Sequence, residues 1–248
     1  AGIAHNLVNV RIDKRFPGHA YKVGNGLLGL GQMMFAKVIL VSDDPAADPK
    51  DHQGFWRHVL SQAVPGRDSQ FAKGPIDVLD HASRAWSYGS KLIVDGTRKH
   101  AEEGGADDFS PNPERTAAEL PKRPEVLDQH QPPAATWFLT CDKQRAGQGA
   151  ELLDWAVAQP GATDGVRLIA TLGAEVDPRD FEECMWTLLN NIDPERDIRI
   201  LNTPDGRPVF AVDATQKLAA EGFTRDWPEK LVMDESVRQR VDEIWPKR

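Results

Sequence analysis

A basic stretch near the amino end of the chain has the composition of an anion-binding turn. Residues 14–20 read Lys-Arg-Phe-Pro-Gly-His-Ala and lead into a predicted helix. Backbone amides at a helix amino terminus, reinforced by lysine and arginine, can bind an anion such as phosphate. The alternative is an ordinary strand-to-helix turn with Lys14 and Arg15 on the surface. A later turn of similar sequence has Gln148 in place of His19, so it need not share the role of His19.

Residues 29–37, Gly-Leu-Gly-Gln-Met-Met-Phe-Ala-Lys, have a composition suited to contact with a flat ring system. The two glycines give the backbone conformational freedom. Met33, Met34 and Phe35 offer a pliable and polarizable apolar surface. The same side chains could equally pack in the core ahead of a strand, and the sequence leaves both interpretations open.

Four acidic residues follow the next apolar run and raise the question of a metal site. They are Asp43, Asp44, Asp48 and Asp51. The segment lacks the spacing and the central glycine of a calcium-binding loop. Helix capping accounts for two of them, because Asp48 can cap a helix whose first turn contains Asp51. We therefore predict no metal ligands in this chain.

Other familiar catalytic patterns are absent from the sequence. His81 and Ser83 lie close together, but no GxSxG motif surrounds the serine. There is no Walker motif, and Gly24, Gly26 and Gly29, although spaced as GxGxxG, lie inside a predicted helix and not in a strand-to-helix turn, which argues against a nucleotide-binding domain. Lys91 could contact a carboxylate or a phosphate, or it could be a solvated surface lysine.

The elements that must position these residues occur twice, which indicates an internal duplication. Motifs recur after 129 residues: Asp13-Lys14 as Asp142-Lys143, Gly18 as Gly147, Asp48-Pro49-Lys50-Asp51 as Asp177-Pro178-Arg179-Asp180, and Pro65, Arg67 and Asp68 as Pro194, Arg196 and Asp197. Further on, the spacing falls to 118 residues, at which Asp95 and Lys99 match Asp213 and Lys217. The second copy has therefore lost 11 residues from a loop that residues 74–83 and 89–91 flank in the first copy. Loops of this kind often carry function.

Each copy alternates short apolar runs with helices. The apolar runs are residues 5–12 and 38–41 in the first copy, and residues 136–141 and 168–170 in the second. Short continuous apolar runs are typical of buried strands. The helices that follow the second runs are predicted to begin after Asp48 and Asp177 and to end near Gln62 and Asn191. The pattern predicts an α/β fold, a layered sheet with flanking helices built from two related strand-helix units.

The sequence divides into a first unit, a linker and a second unit, placed at residues 1–100, 101–134 and 135–248. The linker is rich in proline, glycine and acidic residues, and we expect one helical turn near residues 125–129. The degenerate second unit ends in an amphipathic helix with an apolar face formed by Val237, Val241, Ile244 and Trp245. That face is predicted to pack on the core or on a partner subunit.

Bulk composition restricts the class of protein further. The net charge of −8 disfavours a nucleic-acid surface and binding to an anionic membrane. The sequence has no run of about 18 apolar residues, so no membrane span is predicted. Cys141 and Cys184 form neither a CxxC pair nor a disulfide framework, which suits a reducing cytoplasm.

The motifs together give the chain a family likeness: it resembles the carboxy-terminal part of UbiD-type decarboxylases. The likeness covers residues 5–99 and rests on HNLV at 5–8, KRFPGHA at 14–20, the segment 29–37, VSDD at 41–44, GPIDVLD at 74–80, GSK at 89–91 and DGTRK at 95–99. Residues 136–248 are a weaker match, although the tail from Arg225 to Trp245 is similar to the family's carboxy-terminal end. The second copy departs from shorter family members and suggests a long form.

This resemblance implies reversible, non-oxidative decarboxylation of a small aromatic or unsaturated carboxylic acid, often in quinone biosynthesis. The family's cofactor is prenylated FMN, with a divalent metal on its phosphate. Its catalytic Glu–Arg–acid set and metal ligands belong to an amino-terminal flavin-binding domain. No stretch here matches them, so no catalytic residue is carried over. We expect the isolated chain to be inactive and to bind no cofactor alone.

The family's carboxy-terminal domain supplies subunit contacts and one wall of the cofactor pocket. The resemblance places that wall at Gln32, Met33, Met34, Phe35, Ile76 and Val78. The implied partners are the amino-terminal domain of the same protein and further copies in a homo-oligomer. The alternative function is a non-catalytic oligomerisation module.

Overall fold

The computed structural model describes residues 6–229 and 233–245 and contains two mixed β-sheets flanked by helices. The first sheet consists of β1 (Leu7–Arg11), β2 (Val38–Ser42), β3 (Ser69–Pro75) and β4 (Tyr88–Gly96). The second consists of β5 (Arg115–Thr116), β6 (Asp128–Gln131), β7 (Thr136–Cys141), β8 (Leu168–Gly173), β9 (Ile198–Asn202) and β10 (Pro208–Asp213). The helices are α1 (His19–Leu28), α2 (His52–Gln62), α3 (Gln148–Val157), α4 (Phe181–Asn191), α5 (Pro194–Asp197) and α6 (Glu235–Ile244). The predicted α/β class is confirmed, while His5 of the first predicted run lies outside the described residues.

The two sheets share one strand order. It is β1-β2-β4-β3 in the first sheet, and β7-β8-β10-β9 inside the order β5-β6-β7-β8-β10-β9 of the second. In each case the first three strands of this order are parallel, and the fourth runs antiparallel to its neighbour. This agreement in order and direction supports the predicted internal duplication.

Each unit also has a buried hydrogen-bond network after its last strand. The Thr97 amide donates to the Asp95 carboxylate, and Lys99 Nζ donates to the carbonyls of both residues at 2.7 Å. Residues 213–217, at the spacing of 118, make the same bonds, with lysine distances of 2.7 and 2.9 Å. A shared side-chain network at matched positions is a second observation in favour of duplication.

Residues 101–134, predicted as a linker, contribute two strands to the second sheet. Strand β6 pairs antiparallel with both β5 and β7. The prediction of a helical turn near residues 125–129 was wrong, because Asp128–Gln131 forms strand β6. Four polar residues carry no strand pattern of their own, and the hydrogen bonds offered by the edge of β7 decide their conformation. The unit boundaries at residues 100 and 135 stay a prediction.

The side chains of the buried strands alternate between two core layers. In β2, Val38 and Leu40 join a large cluster that includes both α2 and α4, whereas Ile39 and Val41 pack toward α1. Strand β8 alternates in the same way between the large cluster and the α3 side. The layers therefore run α1, first sheet, α2 with α4, second sheet, α3, and the two units share one central core.

Helices α2 and α4 begin three residues later than predicted. Asp51 and Asp180 are the capping residues. Each carboxylate accepts a hydrogen bond from the backbone amide three residues later, at 2.9 and 3.0 Å. Asp48 and Asp177, predicted as caps, instead accept from amides two residues on, at 2.9 and 3.0 Å, and form turns. Both positions suit an aspartate cap, so composition did not distinguish them. The predicted ends of both helices are confirmed.

Helix α6 has no buried residue. Its apolar face of Val237, Val241, Ile244 and Trp245 is between 44% and 78% exposed. The prediction that this face packs on the core is therefore wrong for the described part of the chain. Packing on a partner subunit stays a prediction. Across residues 6–229 and 233–245, no helix is both long and apolar enough to cross a membrane.

Candidate functional site

The predicted anion-binding turn at residues 14–20 already holds a carboxylate of the same chain. Glu103 accepts from the Gly18 amide at 2.8 Å and from Lys14 Nζ at 2.6 Å. Burial raises the pKa of Glu103, but these donors and the His100 amide outweigh it and lower the pKa to about 2. The ionised carboxylate satisfies the turn, so the geometry favours the structural interpretation of this motif.

The second unit fills its corresponding turn in the same way. Glu221 accepts from the Gly147 amide at 3.0 Å and from Lys143 Nζ at 2.8 Å. His19 and Gln148 also act alike, since each side chain accepts from the backbone amide four residues earlier, at 3.3 and 2.8 Å. The two copies therefore share the role of His19, which is to close the turn.

Sequence reasoning missed Glu103, although the chain carries a signal for it. Glu221 lies 118 residues after Glu103, which is the spacing that relates Asp95 to Asp213. Extending the repeat beyond Lys99 would have matched the two glutamates, because each lies at the same distance after the matched aspartate, Asp95 or Asp213.

The residues predicted as a pocket wall fall into two neighbouring segments. The first is a 3-10 turn, Gly31–Phe35, in which Gln32 is exposed and the next three residues are half-buried. The second follows β3, where Ile76 is fully buried and Val78 is 52% exposed. The 3-10 turn lies beside β3, so the structure brings the two segments near each other at the β3 edge of the first sheet.

Lys91 of β4 holds the first of these segments in place. Its Nζ donates to the carbonyls of Met34 at 2.6 Å and Ala36 at 2.7 Å, and the residue is 2% exposed. Burial, together with the positive charge of Lys37, lowers the pKa of Lys91 to about 8. Neither alternative for Lys91 holds, because the side chain is not solvated and its ammonium group is already bonded to the protein.

The β3–β4 loop, residues 76–87, is organised around a buried ion pair. Asp80 accepts from two amides of the loop at 3.1 and 2.7 Å and forms an ion pair with Lys37. Lys37 also donates to the Leu189 carbonyl of α4 at 2.8 Å. Burial lowers the pKa of Lys37, and the Asp80 carboxylate opposes that shift. Removal of either charge would leave the other buried without a counter-charge, which is strongly destabilising.

The same loop presents large apolar side chains to the outside. Val78, Leu79 and Trp86 are 52%, 86% and 70% exposed, and Tyr88 at the start of β4 is 45% exposed. Apolar surface concentrated in so short a segment is typical of a contact surface. The β3–β4 loop is therefore the strongest candidate for contact with another part of the protein or with a ligand.

A separate open cavity of about 650 Å³ lies at the carboxyl ends of β1, β2 and β4. Ligands of α/β sheets commonly bind at this edge. Asp43 and Asp44, which raised the question of a metal, line it. Asp43 accepts from Arg98 Nε at 2.8 Å, and Asp44 lies 3.2 Å from His58 Nδ1. Both carboxylates thus have partners within the chain and serve the rim of the cavity.

The chain matches the family described as 3-octaprenyl-4-hydroxybenzoate carboxy-lyase C-terminal domain. The match covers residues 1–96 and 113–234, which include every strand of both sheets. More than half of the chain lies within the match. The chain therefore belongs to the UbiD carboxy-terminal domain family, as its motifs predicted.

Curated relatives are longer than this chain. A protein of Aquifex aeolicus (strain VF5) is 46% identical over 103 residues, which are 42% of this chain and 21% of that protein. A protein of Helicobacter pylori (strain J99) is 25% identical over 234 residues, which are 92% of this chain and 36% of that protein. The matched part thus spans between about a fifth and about a third of these relatives.

Solved structures of low identity match about half of the chain. The closed form of vanillic acid decarboxylase from Sedimentibacter hydroxybenzoicus is 17% identical, covers 50% of this chain and 29% of its own, and has a TM-score of 0.42. An evolved dimeric form of the UbiD-class enzyme HmfF from Pelotomaculum thermopropionicum, in complex with prFMN, is 18% identical, covers 47% and 25%, and has a TM-score of 0.37.

Proposed function

We propose that this chain is the carboxy-terminal portion of a decarboxylase that uses prenylated FMN and a divalent metal. Its substrate would be a small aromatic or unsaturated carboxylic acid, and its role would lie in quinone biosynthesis. The observation that carries the proposal is the family match over both units, to a domain described as part of a carboxy-lyase. A cytoplasmic location accords with two free, buried cysteines.

The proposed wall fits one part of the cofactor. Gln32, Met33, Met34, Phe35 and Val78 would face the flat ring, with Ile76 packed behind them because it is fully buried. The neighbouring cations Lys37 and Lys91 are bonded to protein groups, so these residues suit an apolar ring face and not a phosphate or a metal. The bound flavin would supply the acceptor for the electron pair that the departing carboxyl group leaves behind. Its phosphate and metal, with the catalytic residues, belong in this proposal to an amino-terminal flavin-binding domain of the same protein.

The second candidate function is a non-catalytic oligomerisation module. Two exposed apolar surfaces favour it: the face of α6 and the β3–β4 loop. The two functions are compatible, since a homo-oligomeric enzyme could use this part of its chain for subunit contacts. Sedimentation of the chain distinguishes them in part, because a stable oligomer without any ligand response favours the module for the isolated chain.

The enzyme proposal is tested with the full-length protein expressed with a supply of prenylated flavin. We expect a flavin absorption spectrum in the purified protein and CO₂ release from an aromatic carboxylic acid. The absence of both would overturn the proposal.

The wall is tested by Met33→Ser, with Leu127→Ser as a control at a residue that is 59% exposed in the connecting segment. The Met33 variant should reduce flavin occupancy or raise KM several-fold, because a hydroxymethyl group removes apolar contact area worth about 1 to 2 kcal/mol. The control should behave as the parent protein. Equal effects of both changes would remove Met33 from the wall.

A further inference from the structure

We infer that the second unit acts as a clamp for the β3–β4 loop of the first unit, and that Asp193 is its central positioning residue. The Asp193 carboxylate is fully buried and lies between α4 and α5. It accepts from Arg84 Nη2 at 2.7 Å, from Arg84 Nε at 3.1 Å and from the Arg84 amide at 3.2 Å. It also accepts from the Ser90 hydroxyl. One carboxylate of the second unit therefore holds the loop and the strand that follows it.

Two arginines of the second unit hold the backbone of the same loop. Arg196 Nη2 donates to the Ala82 carbonyl at 2.9 Å. Arg225 donates to the carbonyls of Asp80 at 2.9 Å and Ser83 at 3.2 Å. Bonds to these backbone carbonyls help to fix the path of the loop whatever its outward side chains are. The loop is thus held by residues more than a hundred positions away in the sequence as well as by its own Asp80 and by Lys37.

The ring of His81 completes the contact between loop and clamp. Its Nε2 lies 3.1 Å from Asn191 Oδ1, at the end of α4. Its other neighbour is the ring of Trp227, which meets it edge-on with centroids 4.7 Å apart. His81 is therefore a structural residue of this contact, and its two partners come from separate parts of the second unit.

The first unit shows that these clamp residues are specialised. Arg67 and Asp68 form the same ion pair as Arg196 and Asp197, at 2.8 and 2.7 Å, so this ion pair is common to both units. The position equivalent to Asp193 in the first unit, however, is Val64. The acid that reaches the loop is thus present only in the unit that faces it.

The lost loop explains this asymmetry. The second unit has a short β9–β10 turn in place of the β3–β4 loop, so it offers the first unit nothing to clamp. In the first unit, Arg67 is the counterpart of Arg196. It donates to the Gly104 carbonyl of the connecting segment at 3.3 Å, and not to a loop of the other unit. The second unit therefore shares the framework, lacks the long loop and carries, at the position of Val64, the acid that holds its neighbour's loop.

The clamp gives the second unit a role in presenting Val78, Leu79 and Trp86. An unsupported loop of this length would lose about 1 to 2 kcal/mol per residue in conformational entropy when it ordered against a partner. A clamped loop has already met that cost, so its exposed apolar surface is ready for contact. The part of this inference that concerns the cofactor wall rests on the proposed function, because Val78 belongs to that wall.

The test uses the full-length protein and hydrogen exchange of the peptide covering residues 77–90. Asp193→Asn removes the buried charge with little change in size, and Arg84→Gln removes its partner from the loop side. Each should raise exchange in this peptide by about tenfold or more, because the fully buried Asp193 would lose either its charge or its main counter-charge. The double variant should exchange no faster than the faster single variant, because the two residues act as one pair.

The control is Glu195→Gln, which also removes a carboxylate 3.0 Å from Arg84, but one that is partly exposed. Exchange in residues 77–90 should change less than about twofold, as expected for a solvated ion pair. Unaltered exchange in Asp193→Asn and Arg84→Gln would overturn the clamp, and so would faster exchange spread evenly over both sheets. If the parent protein has no decarboxylase activity, the proposed function is overturned, but the exchange result and the inference about Asp193 are unaffected.

Discussion

Charged side chains that are buried or half-buried in this chain hold backbone and loops in place. Lys37, Glu103 and Asp193 each bind groups distant in sequence, and all three have partners of opposite charge. An ionised group taken from water is tolerated only where hydrogen bonds and a counter-charge replace its hydration. Their residue types are visible in the sequence, but their partners are not, because the partners come from other elements.

Asp193 should make the stability of the protein sensitive to acid. Burial raises its pKa, but the bonds from Arg84 and Ser90 outweigh burial and lower the pKa to about 2. An aspartate in the unfolded chain has a pKa of about 3.9, so its contribution is complete above pH ~4 and disappears as the pH falls toward 2. In urea unfolding series, Asp193→Asn should therefore lose stability at pH 7 and converge on the parent protein near pH 2. A difference that is independent of pH would contradict this assignment.

At the scale of elements, both units open their first helix from a glycine with positive φ. Gly18 and Gly147 have φ of 75° and 76° and precede α1 and α3. This left-handed conformation lets the glycine amide point at Glu103 or Glu221. Residues with a Cβ atom adopt it at a cost of about 1 to 2 kcal/mol. The turn can thus be predicted from the local sequence, whereas the carboxylate that accepts its hydrogen bonds cannot.

The cost can be isolated by comparing two alanine variants of α1. A Cβ atom at either Gly18 or Gly26 would meet nothing within 4 Å, so packing is the same in both. Gly18→Ala should destabilise the protein by about 1 kcal/mol because of its positive φ. Gly26→Ala, inside the helix, should stabilise it by about 0.5 to 1 kcal/mol. Chemical denaturation measures both, and effects of the same sign would contradict the backbone explanation.

At the scale of the whole molecule, the central core belongs to both units. Phe55 and Trp56 of α2 lie in the same cluster as Cys184 and Met185 of α4, and all four are at least 95% buried. Two units joined only by a linker would expose these faces. The predicted division into units therefore describes the repeat in the sequence, while the packing makes one body from the two.

The shared core predicts a single unfolding transition. Met185→Ala leaves a cavity in the second unit's side of the core and should cost about 2 to 5 kcal/mol. Because the core is common, peptides from β2 and β8 should lose protection at the same, lowered urea concentration in pulse-labelling experiments. A shift confined to β8 and its neighbours would show that the units unfold independently.

The sequence by itself determined the family, the α/β class and the alternation of strands and helices. These follow from local motifs and from the period of apolar residues, which any short window of the chain contains. Two of its errors were also local, because Asp48 and Asp51 are equally suited to cap a helix and β6 has no strand pattern. The wrong prediction for the apolar face of α6 concerned tertiary packing.

Only the tertiary structure decided which charge meets which partner. The bonds from Lys91 to the 3-10 turn, from Glu103 to Gly18 and from Asp193 to Arg84 join residues 55 to 109 positions apart. Such pairs depend on how sheets and helices stack, and the stacking is set by burial of apolar surface over the whole chain. The residue types at these positions allow many pairings, and the packed core selects one.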